Sequence, residues 1–113
     1  MTKTGQNFSI YQGDSKEVYV TVLDENENNL DITSCTINWV MYKRYPENVV
    51  LTKTTASGIA ITVPSSGIFR MDFSPSDTES LLGDYNHEGE ITDTNLNIST
   101  IFVGTVNVYK SKA

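Results

Sequence analysis

The sequence predicts an all-β protein, an antiparallel β-sandwich of immunoglobulin-like or jelly-roll-like type with about eight or nine strands. Short segments alternate between apolar and polar residues, most clearly 17–23 and 68–73, which is the period of a half-buried strand. Turn-forming residues separate these segments at about the 8–12-residue spacing of sandwiches. Helical periodicity is limited to one short turn near residues 76–82.

Length and composition describe one acidic domain. The 113 residues suffice for a single core, so we expect one domain over 1–113, with frayed ends at about 1–5 and 110–113. The net charge of −6 disfavours partners that are nucleic acids or anionic membranes, because both attract basic proteins. A single cysteine excludes an internal disulfide framework. Without an apolar span or a leader-like N-terminus, the chain is expected to be made in the cytoplasm.

The first half of the chain contains the strongest central strand. Strands are expected at 7–12, 17–23 and 34–43, with a hairpin loop at 24–29 before the third, and at 49–54. In the segment 34–43, Cys35, Ile37, Trp39 and Met41 share one face, and the other face is also partly apolar. We therefore place this strand in the middle of a sheet, with Trp39 as a core anchor and Cys35 as a small buried hydrophobe.

The second half predicts strands at 58–63, 68–73, 85–91 and 96–109, with turns at 64–67 and 93–95. Phe69, Met71 and Phe73 should face inward. Gly104 interrupts the last strand, which indicates either a β-bulge or a close approach of another backbone. That strand could pair with a neighbouring subunit if it lies at a sheet edge.

A corner is expected between the sixth and seventh strands. Pro75 and the side chain of Ser76 or Asp77 favour one helical turn, and Gly83 can adopt the positive φ that ends it. Tyr85 follows two residues later, as in a tyrosine corner, where the hydroxyl group bonds to backbone a few residues upstream. The alternative is a plain loop followed by a half-buried tyrosine.

The sequence offers no signature of catalysis or of cofactor or metal binding. The segment 24–28 begins like a calcium loop, but Asn29 and Cys35 stand where glycine and glutamate are needed. His87 is followed by Glu88 and Glu90, which a strand would place on the opposite face. We therefore interpret His87 as a structural or interface residue and expect a protein without enzymatic activity, cofactor or metal.

Three sets of residues carry a family resemblance. They are 8–15 (FSIYQGDS), 30–33 (LDIT) with Ile37-Asn38-Trp39, and 76–88, which contains Leu81 and the run Gly83 to Glu88, with Gly104-Thr105-Val106 closing the series. In this order they resemble small β-sandwich proteins of tailed-bacteriophage virions, including the N-terminal domain of baseplate upper proteins of the BppU type. The resemblance spans about residues 8–108.

The resemblance implies a virion structural protein, an adaptor or decoration component of a tail, baseplate or head appendage. Its partners would be other virion proteins, with a homo-oligomer left open, and it would reside in the virion after synthesis in the host cytoplasm. Because this chain ends where a baseplate upper protein continues, a stand-alone adaptor is favoured. The alternative is an immunoglobulin-like module that recognises carbohydrate or protein on a host surface.

Aromatic residues and arginine are enriched at protein interfaces. The candidate interface residues are those expected on outward faces or loops: Tyr11, Tyr19, Tyr42, Arg44 and Tyr45. Trp39 and Tyr85 are expected to act structurally.

Overall fold

The computed structural model describes residues 2–44 and 47–112, which form two β-sheets packed face to face. The described strands are β1 (Phe8–Tyr11), β2 (Lys16–Thr21), β3 (Thr36–Lys43), β4 (Asn48–Thr54), β5 (Ile59–Val63), β6 (Ile68–Phe73), β7 (Gly83–Thr92) and β8 (Ile98–Tyr109). One helical turn, α1 (Pro75–Thr78), joins β6 to β7, and a 3₁₀ turn spans Pro64–Ser66. No helix among these residues has the length and apolarity to cross a bilayer.

The strand order is that of an immunoglobulin-like sandwich. The five-stranded sheet has the order β1-β8-β7-β3-β4, and the three-stranded sheet has the order β2-β6-β5. Strands β8, β7, β3 and β4 correspond to G, F, C and C′ of that fold, and β2, β6 and β5 to B, E and D. The predicted β-sandwich is confirmed, and β3 lies inside its sheet as expected. One pairing departs from the antiparallel prediction, because β1 runs parallel to β8.

The core lies where the inward faces of the two sheets meet. Phe69, Met71 and Phe73 alternate with less buried residues along β6, as the period of two predicts. Trp39 is fully buried on β3, and its ring makes an edge contact with that of Phe73, with centroids 5.4 Å apart. Ile32, in the connection between β2 and β3, is also fully buried.

The N-terminal segment covers the edge of the last strand. Lys3 N–H donates to Ile101 C=O (3.0 Å), Val103 N–H donates to Lys3 C=O (2.8 Å), and Gln6 N–H donates to Val103 C=O (3.1 Å). Since β1 continues this pairing along β8, the last strand lies between β1 and β7 and not at a sheet edge, so the condition for its pairing with a neighbouring subunit is not met. These bonds also tie down residues within the segment 1–5, which the sequence predicted to be frayed.

Gly104 explains how the N-terminal segment can lie so close to β8. A Cβ atom at this position would overlap the carbonyl group of Gln6, so the close backbone approach predicted for this glycine is confirmed. The bulge lies elsewhere: the register of β7 against β8 shifts between Gly89 and Glu90, which leaves Ile101 as the extra residue. Strand β8 begins at Ile98, later than predicted, because Leu96 belongs to the preceding turn with a φ of 65°.

Two further expectations differ in detail. Cys35 precedes β3 and is only half-buried, with its Sγ directed at the Thr33 carbonyl group at 3.9 Å. It is therefore not a core-strand residue. The turn at 24–28 is closed by the Leu23–Asn29 bridge, but the chain then crosses to the other sheet, so β2 and β3 do not form a hairpin.

The corner between β6 and β7 has the geometry of a tyrosine corner. The Tyr85 hydroxyl accepts from Leu82 N–H (3.2 Å) and donates to Leu82 C=O (3.3 Å), while Gly83 adopts a φ of 98°. At the start of α1, the Asp77 carboxylate accepts the Ser74 N–H (2.9 Å) and pairs with Lys53 Nζ (2.8 Å). Burial opposes ionisation of Asp77, but the bonds from Lys53 and Ser74 outweigh it and lower its pKa.

Candidate interaction surfaces

The predicted interface residues lie on different parts of the surface. Tyr11 on β1 and Tyr42 on β3 face outward from the five-stranded sheet, and the exposed Arg44 follows β3 with its guanidinium carbon 6.0 Å from the Tyr42 ring centroid. Tyr19 is 60% exposed on β2, in the other sheet. Tyr45 lies outside the described residues. The candidates therefore do not form one continuous patch.

The outward side of the five-stranded sheet, here called the outer face, carries several of the exposed large apolar side chains, the predicted interface residue Tyr11 among them. Tyr11 and Tyr109 are register partners on β1 and β8, and their ring centroids are 5.5 Å apart. Val49 is exposed opposite the half-buried Tyr42. Val40 and Val103 lie on either side of Glu88, one register step beyond Tyr42 and away from Tyr11 and Tyr109. The outer face thus has apolar side chains at β1 and β8 and again at β3 and β4, with polar side chains between them.

The outer face is also acidic. Three carboxylates of β7 point to this side, because Tyr85, His87, Gly89 and Ile91 occupy the inward positions of the strand. They belong to Asp84, Glu88 and Glu90. Apolar side chains interspersed with negative charge suit a partner surface that is apolar and basic.

The second surface is a cleft at one end of the sandwich, between the β2–β3 connection and the β7–β8 turn. This loop-end cleft has a volume of about 500 Å³ and is lined by residues that include Leu30, Cys35 and four acidic side chains. The acidic residues are Asp24, Glu25, Asp31 and Asp93. In an immunoglobulin-type sandwich, loops at one end are the usual place for ligand contacts.

Three of the four carboxylates of the loop-end cleft accept hydrogen bonds from their own loops. Asp24 accepts the N–H groups of Asn26 (2.8 Å) and Asn28 (3.0 Å), and Asp93 accepts those of Asn95 and Asn97 (both 2.9 Å). Backbone bonds lower the pKa of Asp93, and bonds from Thr33 lower that of Asp31. Burial, together with Asp93 and Asp31, raises the pKa of the Cys35 thiol, which keeps it protonated and weakly nucleophilic.

The calcium interpretation of residues 24–28 finds no support in this geometry. The Oδ1 atom of Asp24 instead accepts hydrogen bonds from Asn26 and Asn28 within the turn. Within residues 2–44 and 47–112, no group of three or more His, Cys, Asp or Glu side chains is arranged to hold a metal ion.

The third surface is a groove along the free edge of β2, here called the β2 groove. It has a volume of about 410 Å³ and lies between β2 and the N-terminal segment, with Met71, Ile101 and Phe102 among its lining residues. Strand β2 ends the three-stranded sheet, since β6 is its neighbour on the other side. In a constant-type immunoglobulin sandwich the first strand lies beside the second, but here β1 lies beside β8.

His87 connects the core to the wall of the β2 groove. Its Nδ1 accepts the Trp39 Nε1–H (2.8 Å), so the ring proton resides on Nε2, which donates to the carbonyl group of Gln6. The rings of Phe8 and Phe102 also contact the imidazole. Burial lowers the pKa of His87 and outweighs the opposing effect of the Gln6 bond, so the neutral ring is the stable form.

The sequence did not predict the loop-end cleft, the β2 groove or the role of His87. The strand pattern of β2 predicts an inward and an outward face but says nothing about which strand lies beside it. One sequence signal for His87 exists in hindsight. It stands two residues after Tyr85, where an antibody domain has the second cysteine of its inter-sheet disulfide next to the buried tryptophan. In this protein His87 stands at that position and accepts a hydrogen bond from Trp39.

Comparison with known proteins finds similarity to solved structures only. No protein-family model matches the chain, and no curated protein matches it. Among solved structures, the chain is similar to one described as murine CRIg, with 8% sequence identity, coverage of 95% of this chain and 93% of that chain, and a TM-score of 0.38.

Proposed function

We propose that this protein is a non-enzymatic structural component of a tailed-bacteriophage virion, which joins or decorates other virion proteins through protein–protein contacts. The observation that carries the proposal is the outer face, where Tyr11, Tyr109 and Val49 are exposed in the part of the chain that the structure describes. Large apolar side chains that are exposed on a β-sheet are typical of a protein–protein interface. The resemblance to virion β-sandwich proteins supports the same function and supplies the class of partner.

The decisive experiment is to purify virions from the strain that carries the gene and analyse them by quantitative mass spectrometry. We expect the chain in fixed proportion to the other structural proteins, at a copy number that fits a tail, baseplate or head appendage. Its presence only in the particle-free lysate would contradict the proposal. The double variant Tyr11→Ser/Val49→Ser should be lost from particles, whereas Asn38→Ser on the same sheet should remain.

The loop-end cleft favours a second candidate, a recognition module for carbohydrate or protein on a host surface. Its carboxylates and amides could bind hydroxyl groups or cationic side chains. This function predicts that the isolated monomer binds a ligand, whereas the structural function predicts self-association or binding to a virion protein. A glycan array with clear hits for the monomer, lost in Asn26→Ala/Asn97→Ala, would favour the recognition module.

A further inference from the structure

Four described strands lie at sheet edges, and three of them carry features that oppose pairing with another chain. Strand β1 has only 4 residues. Strand β4 has a register shift opposite Met41 and Tyr42 and directs Lys53 inward. Strand β5 has a register shift between Ile61 and Val63. Short edges, bulges and inward charges are the means by which proteins prevent unwanted strand addition.

Strand β2 is neither short nor shifted in register, and it directs no buried charge inward. Its 6 residues pair with β6 in an unbroken register, without proline; the inward position at its start is the exposed Lys16, and the inward residues that follow are valines. The Val22 N–H donates to Gly67 C=O (2.8 Å) on the β6 side. Because main-chain groups alternate in direction along an antiparallel strand, Glu17, Tyr19 and Thr21 direct their N–H and C=O groups toward the open edge.

The space beside this edge is suited to the side chains of an added strand. Val18, Val20 and Phe8 are partly buried along the β2 groove, and Phe102 and Met71 lie deeper. A cavity of about 150 Å³ holds one benzene ring, so about 410 Å³ accommodates roughly two or three large apolar side chains. A strand that pairs with β2 would direct every second side chain into this space.

From these observations we infer that β2 accepts an extended segment of a partner protein as an additional strand, with bulky apolar side chains at alternate positions entering the β2 groove. The assignment of that segment to another virion protein rests on the proposed function. The edge and the groove themselves are features of this chain alone.

Charge favours a foreign segment over a second copy of this chain. Among the described lining residues of the groove, Lys3 is the one charged side chain, and it already pairs with Glu27 at 2.9 Å, whereas four carboxylates line the loop-end cleft. The segment is therefore uncharged where it enters the groove. A second copy would bring another chain of net charge −6, and its own inward residues at this edge, Val18 and Val20, are too small to fill the groove.

The test uses the full chain, labelled with ¹⁵N, and a synthetic nine-residue peptide. The peptide has lysine at both ends, threonine at even positions, and leucine, phenylalanine and leucine at the third, fifth and seventh positions. We expect saturable binding, with slowed hydrogen exchange at the amides of Glu17, Tyr19 and Thr21. A peptide of the same composition with its apolar residues adjacent should bind at least about tenfold more weakly, because only alternation presents all of them to the groove.

Two sets of variants show whether main-chain pairing is responsible. N-methylation of the peptide at its threonines, or instead at its leucines and phenylalanine, blocks one edge of the strand or the other, so one set should lose at least about tenfold in affinity and the other should bind normally. In the protein, Tyr19→Pro removes an N–H group that faces the open edge and should abolish binding, whereas Tyr19→Thr keeps that group and should retain it.

Several results would overturn the inference. They are absence of binding at peptide concentrations up to about 1 mM, equal binding of both N-methylated peptides, and unchanged exchange at Glu17, Tyr19 and Thr21 when the peptide is bound. A dimer of the unliganded protein that Tyr19→Pro abolishes and Tyr19→Thr preserves would assign the edge to a second copy instead. Peptide binding by a chain that is absent from virions would retain strand addition and reject the proposed function. The reverse pair of results would reject strand addition alone.

Discussion

The two sides of the sandwich where sheet edges meet, here called flanks, are closed in different ways. One flank is formed by β4 and β5, and the other by the N-terminal segment and β2. At the first, Lys53 on β4 is 7% exposed, lies over the Phe73 ring at 5.0 Å and pairs with Asp77 at 2.8 Å. At the second, the wall is held by hydrogen bonds from β8 and His87, and the β2 groove remains open. One flank is closed by charge within the chain, and the other retains unpaired backbone.

The difference shows that edge protection in this fold is selective. A buried ion pair contributes little net stability compared with apolar packing, but it places a charge where a foreign strand would otherwise insert. No charged residue of β2 is buried, and this distinguishes its edge from the sealed edge of β4.

The largest expected effect concerns the sealed flank. Asp77→Ala should lower the free energy of unfolding by about 3 kcal/mol, because Lys53 would be left buried without its partner and Ser74 N–H without its acceptor. Urea unfolding measures this change. Glu79→Ala, on the exposed residue just after α1, is the matched control and should change stability by less than about 0.5 kcal/mol.

A second variant sharpens this prediction. Lys53→Met combined with Asp77→Asn removes both charges and keeps an acceptor for Ser74 N–H, so stability should return close to that of the original protein. A double variant as unstable as Asp77→Ala would show that the ion pair is not what holds this flank together.

The next effect concerns the wall of the open flank. Gly104→Ala should destabilise the protein by about 1–3 kcal/mol, because the new methyl group would push the Gln6 carbonyl group away from β8. Hydrogen exchange at the amides of Lys3 and Gln6 should become faster. Thr105→Ala, an exposed residue on the same strand, serves as the control. Unchanged protection of Gln6 in Gly104→Ala would contradict the close approach described here.

The third effect depends on pH. The folded protein holds His87 neutral with a pKa below the ordinary 6.5, so the unfolded chain binds a proton that the folded chain does not. Stability should therefore be constant above about pH 7 and fall as the pH drops through 6.5, by at most about 1.4 kcal/mol per pH unit.

His87→Gln provides the control for this dependence. A glutamine can accept from Trp39 and donate to Gln6, and it does not titrate. Its stability should be independent of pH between about 5.5 and 7.5. A slope that persists in His87→Gln would assign the pH dependence to other groups.

The smallest effect concerns the outer face near the open flank. Tyr11→Thr should lower the free energy of unfolding by about 0.5–1 kcal/mol, because the Tyr11 ring packs at a tilt against the Tyr109 ring across β1 and β8. Tyr19→Thr removes an equally exposed ring from β2 and should have a smaller effect. Equal losses in the two variants would show that the ring pair does not help to hold β1 in place.

The sequence predicts faces of strands much better than neighbours of strands. Alternation along β6 and β7 identifies Phe69, Met71, Tyr85 and Ile91 as inward residues, because that pattern is local and reflects burial directly. Gly104 also indicates either a bulge or a close backbone contact, because glycine alone has no Cβ atom. These features need no knowledge of the rest of the chain.

The pairing partners depend on distant residues and were not predictable in the same way. Residues 2–6 have no alternation, yet they cover the edge of β8, which the sequence left as a potential interface. The available edge is instead that of β2, whose pattern resembles that of any half-buried strand. Cys35 has an inward position in the period of β3, but the strand begins one residue later, so its thiol lies beside the loop-end cleft.

The pairing of β1 with β8 also sets the order of events during synthesis. Phe8 pairs with Val106, and Lys3 with Phe102, so the N-terminal segment and β1 leave the ribosome well before the strand with which they pair. Contacts of such sequence separation slow folding, and until they form the nascent chain exposes the edge of β7 and the apolar side of β1. The five-stranded sheet can therefore be completed only after β8 has been synthesised and has left the ribosome, so folding of this sandwich is delayed until its last strand is available.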